Sequence, residues 1–338
     1  VTHVKPIARV LAITPWLGGF VDTQVSALRT RFDVTVGKVW PTDGPREWVA
    51  TMNRLRGLRF DPYGYDIVHC FSAWPAGVYA TSWGRSSVPL VIHEHLSPPE
   101  RLIQLPVSRA FKYAAAVMCP SKSQADSVRM YTGREARVVP NPVVVPSRVR
   151  SVPKQIGSRP IEVACFGRYE RQKGFDIAAR ASRVLAGVRF TFIGKGSEEA
   201  TLRAAAKDDS RFFPWMDGSR STAAAVAEFA DIVCCPSRHE SFGLACGEAV
   251  AMGIPVVATD EGMHRELIGD AGVICTATDA SVVSAIAHVA GNLEAYQQRA
   301  QERSSTVRSE FAPQKFVEQV EAVYVEACAS NGGGMGVA

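Results

Sequence analysis

The sequence predicts an α/β protein of two doubly wound domains facing a cleft. Three observations carry that expectation. Short apolar runs alternate with longer amphipathic stretches along the chain, the pattern of parallel strands covered by helices on both faces. The alternation breaks once, at "PSRVRSVPKQIGSRP" (146–160), which is rich in Pro, Ser and basic residues and has no period, and then restarts; such a stretch reads as a linker. Finally, 338 residues exceed one ordinary core and fit two domains of about 150 residues each.

In order, "ARVLAIT" (8–14) is a strand and "DTQVSALRTRF" a helix with Asp22 as its N-cap, by the preference of Asp for that position. "DVTVGKV", "DIVHCF", "PLVIHEH", "AAVMCPS" and "RVVPNP" continue the strand series of a first domain, 1–150. After the linker, "IEVACFG", "VRFTFIG", "RFFPWM", "DIVCCPS", "IPVVAT" and "AGVIC" are strands of a second domain, 151–310. "FDIAARASRVLAG" and "SEEATLRAAAK" are helices between them. "FAPQKFVEQVEAVYVEACAS" forms one more amphipathic helix, over 311–330, and "NGGGMGVA" a frayed tail.

Composition bounds the function. Apolar residues at 46% and charged residues at 21% sit near globular averages and argue against disorder. No apolar run reaches the roughly 18 to 20 residues of a membrane span. The first residues lack the h-region and cleavage site of a signal peptide, so the expected location is the cytoplasm. The eight cysteines are scattered without a C-x-x-C pair, so neither a structural zinc nor a disulfide framework is expected.

The net charge of +5 conceals an asymmetry, because residues 1–150 hold 19 Lys and Arg against 10 Asp and Glu, leaving −4 on the remainder. A basic half can attract anionic lipid or phosphate groups, and solvated arginines account for it equally well. "PPERLIQLPVSRAFKYAAA" (98–116), with Arg101, Arg109 and Lys112, mixes basic and apolar residues. It suits a peripheral site on an anionic membrane, at the inner face, or an ordinary helix packed on a sheet. No nucleic-acid partner is expected.

In such sheets ligands bind beyond the carboxyl ends of the strands, which selects the residues after each run. "GRYERQKGFD" places Arg168 and Lys173 on a loop hinged by Gly167 and Gly174, and two cations at a helix start suit a diphosphate. "GKGSEE" places Gly194 and Gly196 before a helix N-terminus, where amides face an anion. Its sixth residue is Glu199, so it is no dinucleotide fingerprint and a nicotinamide-binding reading loses its support. In "SRHESFGLACGEAVAMGIP" (237–255), Glu240 lies in a loop, Gly243 allows a tight turn, and Glu248 falls in the second turn of the following helix. Amides near Phe242, Gly243 and Leu244 then approach a phosphate, and each carboxylate can accept from neighbouring hydroxyls. That combination complements a sugar nucleotide. A solvated loop and two helix-capping acids are the plainer alternatives.

"GRYERQKGFD", "IGKGSEE", "PSRHESFGLACGEAVAMGIPVVAT" and "EGMHRELI" stand in the order and spacing of retaining glycosyltransferases with the GT-B fold, and resemble most the large glycosyltransferase family 4. That family carries two glutamates separated by seven residues, as Glu240 and Glu248 are here. The likeness covers nearly all of 160–310 and is thinner in "PWLGG" (15–19), "VPLVIHEH" (88–95), "VMCPSKSQAD" (117–126) and "VVPNP" (138–142). One departure is Glu261-Gly262, where many relatives carry a Gly-Gly pair.

The resemblance implies roles. Arg168 and Lys173 hold the donor diphosphate. Glu248 accepts from the ribose hydroxyls. Glu240 contacts the transferred sugar and supports the charge of an oxocarbenium-like transition state. The backbone of Phe242 to Leu244 meets sugar or phosphate, Trp215 or Met216 lies beside the base, and Gly19 lets its loop close over the phosphates. His95 is a second catalytic group, and the C-terminal helix crosses back to the first domain.

The implied reaction moves a hexose from a UDP- or GDP-sugar, a substrate rather than a cofactor, to a glycan, lipid-linked or other polysaccharide-precursor hydroxyl. His93 sits where relatives often have threonine. "HEH" also suits a metal pair, but no further His/Asp cluster and no Asp-x-Asp accompany it, so no metal is expected. An epimerase or phosphorylase on the same fold, a transferase acting on a soluble acceptor, and a non-catalytic sugar-nucleotide binder are the competing readings.

Overall fold

A computed structural model describes residues 7–14, 19–38, 62–83, 86–95, 105–145, 159–214 and 222–332. The predicted linker, but for its last two residues, and the tail from 333 lie outside them. The chain divides into two compact units, Val1–Pro142 with Pro313–Ala338, and Val143–Ala312.

The first unit runs β1 (Arg9–Thr14), α1 (Phe20–Leu28), β2 (Asp33–Lys38), β3 (Ile67–Phe71), α2 (Ala73–Trp83), β4 (Leu90–His93), α3 (Leu105–Tyr113), β5 (Ala116–Cys119), α4 (Lys122–Thr132) and β6 (Arg137–Val138). Its sheet is ordered β2-β1-β3-β4-β5-β6, with every pair parallel. Successive side chains of a strand point to opposite faces. Leu11, Ile13, Val68, Cys70 and Ile92 accordingly pack into one core, and Val10, Ala12, Ile67, Phe71 and Val91 into another. Burial on both faces is why these strands read as unbroken apolar runs.

Helix α1 begins at Phe20 behind Gly19, whose φ is 57°. Asp22 therefore sits in the first turn, where the helix dipole favours an acid, and is not the N-cap. Ser121 does cap α4, its Oγ accepting from the Gln124 amide at 3.3 Å.

The second unit runs β7 (Ile161–Phe166), α5 (Phe175–Val184), β8 (Val188–Ile193), α6 (Glu199–Ala205), β9 (Arg211–Phe213), α7 (Thr222–Phe229), β10 (Ile232–Cys235), α8 (Leu244–Ala251), β11 (Val256–Thr259), α9 (His264–Ile268), β12 (Gly272–Cys275), α10 (Asp279–Gly291) and α11 (Leu293–Glu310). Its six-stranded sheet is ordered β12-β11-β10-β7-β8-β9 and is again parallel throughout. The chain then enters α12 (Pro313–Gly332). Its Phe316, Val320, Val323 and Tyr324 join the first unit's core beside Val21, Val25 and Leu28 of α1, and Glu321 pairs with Arg31 at 2.9 Å.

Each predicted apolar run becomes a strand of one of two six-stranded parallel sheets. Strand order reverses between β1 and β3 in the first sheet and between β7 and β10 in the second. Open α/β sheets bind ligands outside the carboxyl ends of the strands at such reversals.

Candidate active site

At the β7/β10 reversal two loops meet. The loop after β7 carries Arg168, exposed and without an ion pair among the described residues, and a 3-10 turn over Arg171–Lys173. The loop after β10 carries Glu240. Lys173 Nζ lies 2.5 Å from Glu240 Oε2, and Ser237 Oγ donates to the same oxygen at 3.4 Å. Burial alone raises the Glu240 carboxyl, but the charge and hydrogen bond of Lys173 more than offset it, so Glu240 titrates below its ordinary value. The sequence groups Lys173 with Arg168. The structure sets Lys173 against Glu240 and adds Ser237.

Behind Glu240 the chain turns at Gly243, the N-cap of α8, with φ 100°. A Cβ there would lie 2.3 Å from the His264 ring, so the turn requires glycine. His264 is itself held, its Nδ1 donating to the Thr259 carbonyl at 2.9 Å, while Thr259 Oγ1 donates to the Ser237 carbonyl at 2.6 Å. His264 stands inside "EGMHRELI", where nothing local shows that it packs under Gly243.

The first amides of α8, from Leu244, have no acceptor inside the helix and leave partial positive charge at its start. Phe242 turns its ring into the core, edge-on to Phe311 at 5.8 Å, so only its backbone can meet a ligand. Glu248, partly open to solvent in the second turn of α8, makes no side-chain hydrogen bond among the described residues. Burial pushes its carboxyl up to about 8.

Gly194 follows β8, and its amide donates to the Phe213 carbonyl at 3.0 Å. That amide is therefore committed to the fold, and the anion-facing turn predicted there lacks it. Trp215 and Met216 lie outside the described residues, as does "PWLG" before Gly19.

In the first unit, His95 lies two residues beyond β4. The residue is 4% exposed, and its ring sits 4.6 Å from the Phe20 ring and 3.9 Å from that of His93, centroid to centroid. Neither ring nitrogen has a partner among the described residues. Burial, then the proximity of His69, lowers its pKa to about 3, leaving a neutral imidazole that can donate at one nitrogen and accept at the other. Glu94, between the two histidines, accepts instead from the Ala73 amide at the start of α2, at 2.5 Å. Among the described residues no three His, Cys, Asp or Glu side chains gather as a metal-binding group. On α3, Val107, Ala110 and Phe111 are buried, while Arg109 and Lys112 are exposed.

Two family models divide the chain, Glycosyltransferase Family 4 over residues 8–146 and Glycosyl transferases group 1 over residues 160–292. A glycogen synthase of Mycobacterium tuberculosis is 31% identical over 180 residues, covering 50% of this chain and 43% of that protein. A lipopolysaccharide core biosynthesis mannosyltransferase of Rhizobium leguminosarum is 30% identical over 175 residues, covering 48% of this chain and 50% of that protein. The matching segments thus span half or less of these relatives' lengths. The structure of Anabaena HepE in complex with UDP and glucose matches with a TM-score of 0.73 at 17% identity, over 94% of this chain and 99% of that one, a likeness of fold. Sequence and fold agree: this is a GT-B protein, and the chain belongs to glycosyltransferase family 4, the group 1 glycosyltransferases.

Proposed function

We propose that the protein moves a hexose-type sugar from a UDP- or GDP-linked donor to a hydroxyl of a glycan or lipid-linked acceptor, with retention and without a metal. The observation that carries this is the Lys173–Glu240 pair at 2.5 Å at the strand reversal, with Arg168 exposed on the same loop as Lys173 and α8 starting just after the Glu240 loop. Arg168, Lys173 and the α8 amides suit a diphosphate. Glu248 suits the ribose hydroxyls, and Glu240 the sugar carbon on which positive charge develops.

In the transfer, the bond between the anomeric carbon and the diphosphate oxygen breaks while the acceptor oxygen bonds to that carbon from the same face. The acceptor proton passes to the leaving phosphate oxygen. Each fixed charge acting on such a step is worth a factor of about 100 to 1000 in rate. His95 is the second catalytic group, its neutral imidazole suited to a sugar hydroxyl.

A UDP-bound structural neighbour and a relative named for lipopolysaccharide core assembly support the choice of donor and acceptor. The exposed Arg109 and Lys112 support a peripheral position on the anionic cytoplasmic face of a membrane. Among the described residues no helix is long and apolar enough to cross one.

The test is a binding and hydrolysis screen against UDP-, GDP- and ADP-sugars in EDTA, with the product anomer read by NMR. The expected result is one donor bound, slow hydrolysis that disappears in Glu240→Ala, and retained anomeric configuration. Binding of no donor, inversion, or a requirement for a divalent cation overturns the reading.

A further inference from the structure

Arg238 follows Ser237 in the loop after β10, two residues before Glu240, and its hydrogen bonds reach the segment after β7, both the turn over Arg171–Lys173 and the first turn of α5. Its backbone amide donates to the Gln172 carbonyl at 2.8 Å. Its Nη1 donates to the Arg171 carbonyl at 2.9 Å. Nη1 and Nη2 together grip the two oxygens of Asp176, at 2.6 and 2.7 Å. Asp176 is the second residue of α5, just past the turn that carries Lys173. It is gripped from behind by Arg180 at 3.1 Å, which in turn holds Asp279 of α10 by two bonds of 2.7 and 2.8 Å. Gly174, with φ 66°, brings the same two loops so close that a Cβ would lie 2.0 Å from the Pro236 carbonyl oxygen.

We propose that Arg238, acting through Asp176, is a positioning residue that sets the Lys173 turn against the Glu240 loop. The inference rests on the donor-site reading above for its consequence in catalysis, but not for its geometry. Lys173 carries its charge on a flexible four-carbon stem, so its place opposite Glu240 depends on where its backbone is held. A bidentate guanidinium–carboxylate pair is directional and stronger than a neutral hydrogen bond. The same guanidinium also binds the carbonyl of Arg171, the first residue of the turn.

The pair is partly shielded, with side-chain exposures of 32% for Arg238 and 16% for Asp176. Burial raises the Asp176 carboxyl and the guanidiniums of Arg238 and Arg180 more than offset it, so Asp176 stays ionised. An arginine that touched the donor directly would spend its donors on phosphate. This one spends them on the neighbouring loop.

The consequence separates Arg238 from Lys173 kinetically. With the turn released, bound diphosphate can still re-order Lys173, so the cost of ordering moves into donor binding. Loss of Lys173 itself removes charge from the transition state and appears in kcat.

The experiment compares Arg238→Ala, Arg238→Lys, Asp176→Asn and the exchanged pair Arg238→Asp/Asp176→Arg with wild type, and uses Arg31→Ala in the other unit as control. Hydrogen exchange of amides 168–174 is read first, without ligand. The expected result is exchange at least about tenfold faster in Arg238→Ala and Asp176→Asn, with cooperative melting retained. Arg238→Lys, which cannot reproduce the fork, is expected between the two, and the exchanged pair recovers part of the protection.

The affinity for UDP or GDP, whichever the wild type binds, is expected to fall about tenfold while kcat falls less than about threefold, the pattern of a lost ground-state contribution. Unchanged exchange in folded Arg238→Ala overturns the proposal, as does a loss confined to kcat. If Arg238→Ala does not fold, Arg238→Lys decides on the same readout. If the wild type binds neither nucleotide, the donor reading fails while the exchange measurement still decides the clamp.

Discussion

At the carboxyl ends of β7 and β10 the second unit sets charge against charge: Lys173 on Glu240, Arg238 on Asp176, Arg180 on Asp279. Within β3, at the end of β4 and just beyond it, the first unit gathers His69, His93 and His95, none more than 4% exposed, among the rings of Phe20, Phe71 and Phe316. Burial holds all three histidines neutral, with His69 and His95 lowered to about 3. The two sheets share a fold but end in different chemistry. Paired ions respond to any charge that approaches them, whereas neutral imidazoles can exchange hydrogen bonds but carry no charge.

The largest expected effect breaks the charged end. Lys173→Ala and Glu240→Gln should each lower kcat by about 100- to 1000-fold in steady-state assays with the donor found by screening. Because the two groups touch, the double variant should lose less than the product of the two. A change confined to KM would show that the pair only binds.

Acid should separate the units next. A histidine held below its ordinary 6.5 is neutral in the fold and protonated first in the unfolded chain. Stability is therefore complete above about pH 6.5 and falls below it, by up to about 1.4 kcal/mol per pH unit for each group. Asp176 and Glu240 lie below their ordinary 3.8 and 4.5. Their stabilisation is present above those values and is lost only as pH falls through the depressed ones. His264, also lowered by burial, gives the second unit one such histidine against three. Hydrogen exchange from pH 7 to 5 should show β3, β4 and α12 loosening before β7 and β10, and simultaneous loosening would erase the distinction.

Glu248 sharpens the comparison from the basic side. Its pKa is raised from 4.5 to about 8, so the stabilisation linked to its protonation is present at low pH and is lost as pH rises through about 8. Glu248→Gln should raise the melting midpoint at pH 8 by a few degrees and leave it little changed at pH 4. The smallest effect belongs to Tyr324→Phe, which removes the 2.6 Å hydrogen bond to His69 Nδ1 and should cost about 1 kcal/mol, read by denaturant unfolding at pH 7.

Much of the fold is legible along the chain. An apolar run such as "IVCC" is continuous because β10 is covered on both faces, and that requirement acts residue by residue. The start of α1 is not legible, because Gly19 enters the helix through a positive φ that no residue pattern announces, whereas an Asp nearby resembles a cap. In the site, loops after strands pointed to Arg168, Lys173, Glu240 and Gly243 by position alone. Arg238 and Asp176 carry no such signal, since an Arg in a loop or an Asp in a first helical turn looks like any solvated charge without its partner. His69 was hidden inside "DIVHCF", and its partner Tyr324 arrives 255 residues later.

Local pattern suffices for parallel strands, helices between them, two repeats of that plan, and charged residues at strand ends. Which of those charges meet depends on how the whole unit packs. Lys173 and Glu240 are 67 residues apart, and they face each other because β10 pairs with β7 rather than with β9. That order is set by which faces of helices and sheet bury best together, a property of the whole core and not of either loop.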